Sequence, residues 1–153
     1  MAAHTDNAIV IEAPLDLVWT MTNDLENWPN LFTEYAKTEI VERKDANTVL
    51  FRITMHPDNQ GNAWSWISER TMDPATHTTK SRRIETGWFE YMHIEWFYEP
   101  VEGGTKMRWV QDFTMKPTAP FNDEQQAENI NRNTKIQQAV IKERIEARAK
   151  AQG

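Results

Sequence analysis

At 153 residues, with 39% hydrophobic and 26% charged side chains, the chain has the make-up of one folded domain, 1–153, able to enclose a sizeable core or a core with a pocket. A formal net charge of −6 leaves no basic stripe to displace counterions from phosphates and argues against a nucleic-acid partner. The lack of cysteine removes disulfide scaffolds, thiolate catalysis and zinc–sulfur sites, and no apolar run reaches membrane-spanning length.

The N-terminus, Met1-Ala2-Ala3-His4-Thr5-Asp6, carries no basic-plus-apolar signal region, so a cytoplasmic location is the expectation. Residues 7–12 read as a first strand. Residues 13–21 read as a short helix with Pro14 in its first turn and Leu15, Val18, Trp19 and Thr22 on one face. A second short helix is expected over 25–32, with Asp24 as its cap. From Tyr35 the pattern changes to strands at 35–43, 48–56, 63–72, 78–85, 89–98 and 105–115, separated by Asp, Asn, Pro and Gly clusters. Val49, Phe51, Ile53 and Met55 share one face of their strand. Met107, Trp109, Gln111, Phe113 and Met115 share a face of the last strand, with Gln111 a polar group among inward rings. In the strand at 89–98, strict alternation puts Phe89, Tyr91 and Phe97 on one side and Met92, Ile94, Trp96 and Tyr98 on the other.

The strand at 63–72 is the most informative. Alternation sets Trp64, Trp66, Ser68 and Arg70 on one face, two indoles followed by a hydroxyl and a guanidinium. Such a face fits either a core strand whose end emerges into solvent or a strand lining a ligand cavity. A buried charge without a partner is expensive, whereas a cavity combines apolar walls with a few orienting polar groups. Seven Trp and seven Met in so short a chain suit either arrangement.

After Pro117 and Pro120 the chain reads as one long helix from 122 to about 150. Its apolar stripe is Ile130, Val140, Ile141 and Ile145, with Ile136 at the edge, and Asn129, Asn133 and Gln137 form an amide row along the N-terminal half. Strand, two short helices, six strands and a long helix imply an α+β helix-grip fold: a curled, seven-stranded antiparallel sheet wrapped around the C-terminal helix, with an interior cavity.

Several strings carry a resemblance to a known family: Leu17-Val18-Trp19, Thr22-Asn23-Asp24, Trp28-Pro29, Glu34-Tyr35-Ala36, Trp64-x-Trp66, Glu85-Thr86-Gly87, Met107-Arg108-Trp109-Val110-Gln111 and Met115-Lys116-Pro117-x-Ala119-Pro120-Phe121. The chain resembles the polyketide aromatase/cyclases of the START/Bet v 1-like superfamily, above all the tetracenomycin-type and spore-pigment-type single-domain members. The resemblance implies a poly-β-ketone substrate carried on the phosphopantetheine arm of an acyl carrier protein. It implies regiospecific first-ring aldol closure of the C9–C14 type, then dehydration to an aromatic ring. It implies no metal and no other cofactor, and action in trans with a minimal type II polyketide synthase, as a monomer or weak dimer.

Position by position, the resemblance assigns Arg70 to polarising a carbonyl and holding enolate or alkoxide charge, with Tyr35 as acid/base partner and Ser68 as a ketone or water contact. A phenol close to Arg70 is expected to have a lowered pKa. Arg83 would meet polyketide oxygens or the phosphopantetheine phosphate. Trp28, Phe32, Trp64, Trp66, Phe89, Tyr91, Met92, Trp96 and Trp109 would form the walls, with Gln111, Asn133 and Gln137 as further oxygen contacts. For Trp96 and Trp109, plain core packing is the competing role; for Arg70 it is a salt bridge to Glu34 or Glu85. A non-catalytic carrier of a lipid or aromatic ligand would need the same walls but no convergence of Tyr35, Ser68 and Arg70. An interaction scaffold would have a filled core and no cavity.

Overall fold

The computed structural model describes residues 2–152. Strand β1 (Ala3–Ile11) leads into helix α1 (Leu15–Asn23), a single 3-10 turn (Leu25–Asn27) and the short helix α2 (Trp28–Leu31). Six strands follow: β2 (Tyr35–Arg43), β3 (Thr48–Met55), β4 (Ser65–Asp73), β5 (Thr78–Arg83), β6 (Phe89–Val101) and β7 (Gly104–Met115). The chain ends in α3 (Asp123–Gln152). Every strand pairs antiparallel with its neighbour, in the order β1-β7-β6-β5-β4-β3-β2. This is the expected seven-stranded sheet with a long C-terminal helix. Asp24 makes no side-chain cap bond to the 3-10 turn, unlike the expectation.

The helices are placed by burial and by polar clips. On α1, Val18 and Thr22 are the buried residues, which matches its predicted face. Helix α3 runs 30 residues, about 45 Å at ~1.5 Å per residue, and is tied to the backbone of β1 and of the residue after it. Gln138 Nε2 donates to the Asn7 carbonyl at 3.0 Å, Lys142 Nζ donates to the Val10 carbonyl at 2.9 Å, and the Glu12 amide donates to Glu146 at 2.8 Å. Where β1 passes β7, the backbone is so close that a Cβ on Gly104 would lie 2.1 Å from the Ile11 carbonyl oxygen, so only glycine fits.

Apolar packing gathers at two ends of the sheet–helix interface. The larger cluster joins Ile141 and Ile145 of α3 to Ile11, Val18, Val49, Phe51 and Met107. The smaller one joins Phe89, Met92, Phe113 and Met115 to Ala127 and Ile130 of α3. Ile136, placed at the edge of the stripe by periodicity, points outward and is 51% exposed. The α3 side chains buried between the two clusters are polar: Thr134, Gln137 and Gln138.

One departure from simple alternation matters for the site. A bulge in β6 shifts the register between Phe89, which faces Met115, and Tyr91, which faces Thr114. The extra residue, Glu90, puts Phe89 and Met92 on the same side and sends Tyr91 to the opposite one, where its ring lies 5.0 Å from that of exposed His93.

Candidate functional site

A cavity of about 700 Å³ opens between the two apolar clusters, bounded by the sheet, α2 and the middle of α3. Fifteen residues expected from the sequence to form the site line it: Trp28, Phe32, Tyr35, Trp64, Trp66, Ser68, Arg70, Arg83, Phe89, Met92, Trp96, Trp109, Gln111, Asn133 and Gln137. Tyr91 does not, because of the β6 bulge. Trp64 lies just before β4 rather than in it, and is 46% exposed at the rim, its ring 5.2 Å from that of Trp88.

The walls are a run of near-parallel rings. Trp96 and Trp109 stack with centroids 4.2 Å apart and planes within 5°, Trp28 stacks on Trp96 at 5.9 Å, and Tyr35 stacks on Trp28 at 5.8 Å. Phe32 closes the run against Trp109 at 6.0 Å. Trp96 and Trp109 serve the core and the cavity at once, being 4% and 5% exposed while lining the space.

Arg70 is 1% exposed, the largest side chain so completely buried among the described residues. Register puts Arg70 on β4 opposite Val49 of β3 and Ser81 of β5, and alternation turns it inward with Ser68. Its Nε and Nη2 both donate to Asn23 Oδ1, at 3.2 and 2.9 Å, and Nη1 donates to Ser81 Oγ at 3.4 Å. The guanidinium also sits 4.4 Å from the Trp96 ring centroid and 5.3 Å from that of Trp28, within cation–π range. Among the described residues no carboxylate pairs with it. Glu85 instead forms a two-point pair with Arg52 at 3.1 and 3.0 Å, and Glu69 takes Lys44 and Arg82. Burial pulls the Arg70 guanidinium down to about 10, opposed by the Tyr98 and Tyr35 phenols, so it stays cationic at neutral pH.

Tyr35 reverses one expectation. Burial, reinforced by the neighbouring Glu34 carboxyl, pushes its phenol well above the usual tyrosine value, and the opposing pull of Arg70 and Arg83 is smaller. The phenol is therefore a proton donor at neutral pH, not a phenolate. Glu34 is the one acidic residue lining the cavity among those described, and burial raises its carboxyl above the ordinary value. In the sequence it enters only through the Glu34-Tyr35-Ala36 string and as a competing salt-bridge partner for Arg70, not as a site residue, and it precedes β2.

Arg83 stands nearer the opening. Its guanidinium lies 4.5 Å from the Trp66 ring and 5.1 Å from the Phe89 ring, and Nε donates to the Glu85 carbonyl at 3.1 Å. A Cβ on Gly87, which has a φ of 58°, would meet Arg83 Nη2 at 3.4 Å. Burial draws the Arg83 guanidinium down to about 10 as well. On the helix side, Gln111 Nε2 donates to Thr134 Oγ1 at 3.1 Å, and Gln137 bridges to Thr33 through a donated bond at 2.8 Å and an accepted one at 3.0 Å. Asn133 lines the cavity, but Asn129, the first member of the predicted amide row, is engaged along the helix with Gln126 and Arg132.

Alternation turns Tyr98 to the side of Trp96, but its partner on α1 lies 76 positions away and follows from no local pattern. Tyr98 is buried on β6, its phenol raised to about 12 by that burial, and its hydroxyl is 2.6 Å from Thr22 Oγ1. Thr22 donates to the Val18 carbonyl at 2.7 Å, so the Tyr98 hydroxyl is the donor to Thr22. Among the described residues, no cluster of three or more His, Asp or Glu is placed to hold a metal ion.

The family model for polyketide cyclase / dehydrase and lipid transport proteins matches residues 11–149. The chain is 58% identical over 146 residues to the "Putative polyketide cyclase" of Streptomyces cyaneus, covering 95% of each. Among solved structures, the Zhui aromatase/cyclase from Streptomyces sp. R1128 superposes with a TM-score of 0.87 at 22% identity, covering 100% of this chain and 99% of that one. The di-domain aromatase/cyclase BexL superposes with a TM-score of 0.78 at 24% identity, over 94% of this chain and 46% of its own. With this cavity, this topology and these relatives, the chain belongs to the polyketide cyclase / dehydrase and lipid transport family, on the START fold.

Proposed function

We propose that the protein is an aromatase/cyclase of type II polyketide biosynthesis. Its substrate is a poly-β-ketone borne on an acyl carrier protein, and it directs first-ring aldol closure of the C9–C14 type followed by dehydration. The observation that carries this reading is Arg70, a buried cation without a carboxylate partner at the floor of an aromatic-walled cavity. A carrier of a neutral lipid gains nothing from such a charge, and burying it costs stability.

The chemistry follows from the groups present. A methylene between two ketones loses a proton, the resulting enolate carbon attacks a second carbonyl, and the new carbon–carbon bond leaves an alkoxide. Glu34 is placed to accept the first proton, and its raised pKa brings it closer to the working range of a general base. Arg70, buried at the floor, stabilises the enolate and alkoxide charge. Tyr35, protonated at neutral pH, hydrogen-bonds the carbonyl and donates to the alkoxide. A further α-proton then restores the Tyr35 phenol, the hydroxyl departs as water with the proton held by Glu34, and enolisation of the remaining ring ketones completes the aromatic ring. The stacked rings of Trp28, Trp96 and Trp109 hold the chain in one folded shape, replacing a conformational search by a near-attack geometry.

The apolar walls alone would equally serve a non-catalytic carrier of a lipid or aromatic ligand, and the family description includes lipid transport. Reconstitution with a minimal type II synthase separates the two. Wild type is expected to shift products from spontaneously cyclised shunts to the directed first ring, and Arg70→Ala to lower that shift by ~100-fold or more. A product profile untouched by wild type would leave only the carrier reading.

A further inference from the structure

We infer that Asn23 is the positioning residue for Arg70, and that its role is to hold the guanidinium through a neutral oxygen so that the positive charge remains available to the ligand. The inference rests on the cyclase reading for its chemistry, but the geometry stands by itself. Asn23 closes α1, and its amide oxygen receives both the Nε and the Nη2 hydrogen bonds of Arg70. The orientation of that amide is fixed from behind, because Nδ2 donates to the Trp19 carbonyl at 2.9 Å. With the nitrogen committed to an acceptor, the oxygen must face the guanidinium.

A buried arginine is ordinarily matched by a carboxylate, which satisfies the same fork and cancels the charge. Here Asn23, Ser81 and the faces of Trp28 and Trp96 surround it, all uncharged. Asn23 also sits at the C-terminal end of α1, where the partial negative charge of the helix favours a cation without neutralising it. The packing is thus complete while the charge is not.

The substitution that isolates this role is Asn23→Asp, which preserves size and adds the missing carboxylate. Two readouts are taken on the full-length protein. Binding of 2-naphthoate, an anionic aromatic probe, is expected to weaken about tenfold, whereas binding of neutral naphthalene changes less than about twofold. A residue with a merely structural role would affect both probes alike. In reconstitution with a minimal synthase, the ratio of directed to shunt product is expected to fall about tenfold or more, with no loss of thermal stability. Unchanged naphthoate binding in Asn23→Asp, or a wild type that cannot hold naphthoate at all, overturns the inference. Should Asn23→Asp fail to fold, Asn23→Ala carries the test through the loss of directed product with naphthalene binding retained; equal loss of both overturns it. A wild type that binds naphthoate as expected but leaves synthase products unaltered removes the cyclase reading and keeps the charge-positioning one. Intact product control by Asn23→Asp removes only the role of Asn23.

Discussion

Two stretches of the same helix meet the same sheet with opposite consequences. Around Ile141 and Ile145, α3 packs against Ile11, Val49 and Met107 in a dry, filled interior. Two turns earlier, Thr134 is hydrogen-bonded to Gln111, and with Gln137 it borders an open space that Ser68 and Arg70 line from the sheet. The strands supply both regions: β3 contributes Val49 to the first and Phe51, Ile53 and Met55 to the second, with Phe51 and Ile53 reaching both. The difference teaches where stability and function are held. The filled end supplies burial, and it allows the other end to keep a hole and an unneutralised charge at a cost the whole domain can bear.

Breaking the filled end has the largest expected effect on stability. Ile141→Ala is expected to cost about 2–5 kcal/mol in urea unfolding, through lost transfer energy and an unrelaxed void. The directed-product ratio of the protein that remains folded should be unchanged, because Ile141 does not line the cavity.

The opposite outcome is expected at the polar end. Arg70→Met removes a buried cation and fills part of the floor, so the thermal midpoint should rise, by roughly 2–4 °C per kcal/mol gained in a domain of this size. A marked fall in the midpoint would show instead that the Asn23 and Ser81 bonds outweigh the desolvation cost.

The smallest effect concerns Glu34. Its carboxyl keeps its proton in the folded state over a pH range where the unfolded chain has lost it, because burial raises its pKa. The unfolded state therefore binds fewer protons there, and stability falls as pH rises from the ordinary glutamate value to the raised folded one. Glu34→Gln is expected to flatten that part of the profile, measured as the denaturant midpoint against pH.

Most of the fold was legible because its elements are strongly periodic. β2 begins and ends where the pattern says, and the inward set of β4 from Trp66 to Arg70 follows from alternation. What failed did so at breaks in periodicity. Tyr91 was misplaced by a one-residue bulge, for which Glu90 carries no signal. Trp64 lines the cavity as expected but stands outside the strand, because β4 starts at Ser65, two residues later than the expected 63. The direction of the Tyr35 shift depends on depth and on Glu34 beside it, and arginine proximity alone pointed the wrong way. Asn23 acts across 47 positions of chain, a distance no local pattern encodes.

The two margins of the sheet are guarded by different means. On β1, side chains of α3 occupy backbone groups at that margin, Lys142 at the Val10 carbonyl and Glu146 at the amide of Glu12 just beyond the strand. On β2 the backbone is interrupted by register shifts between Tyr35 and Lys37 and between Ile40 and Glu42, and charges at Lys37, Glu39, Glu42 and Arg43 run along the open margin. An edge broken in this way offers no continuous ladder for another chain to extend. A seven-stranded sheet that is never closed into a barrel thereby resists edge-to-edge aggregation.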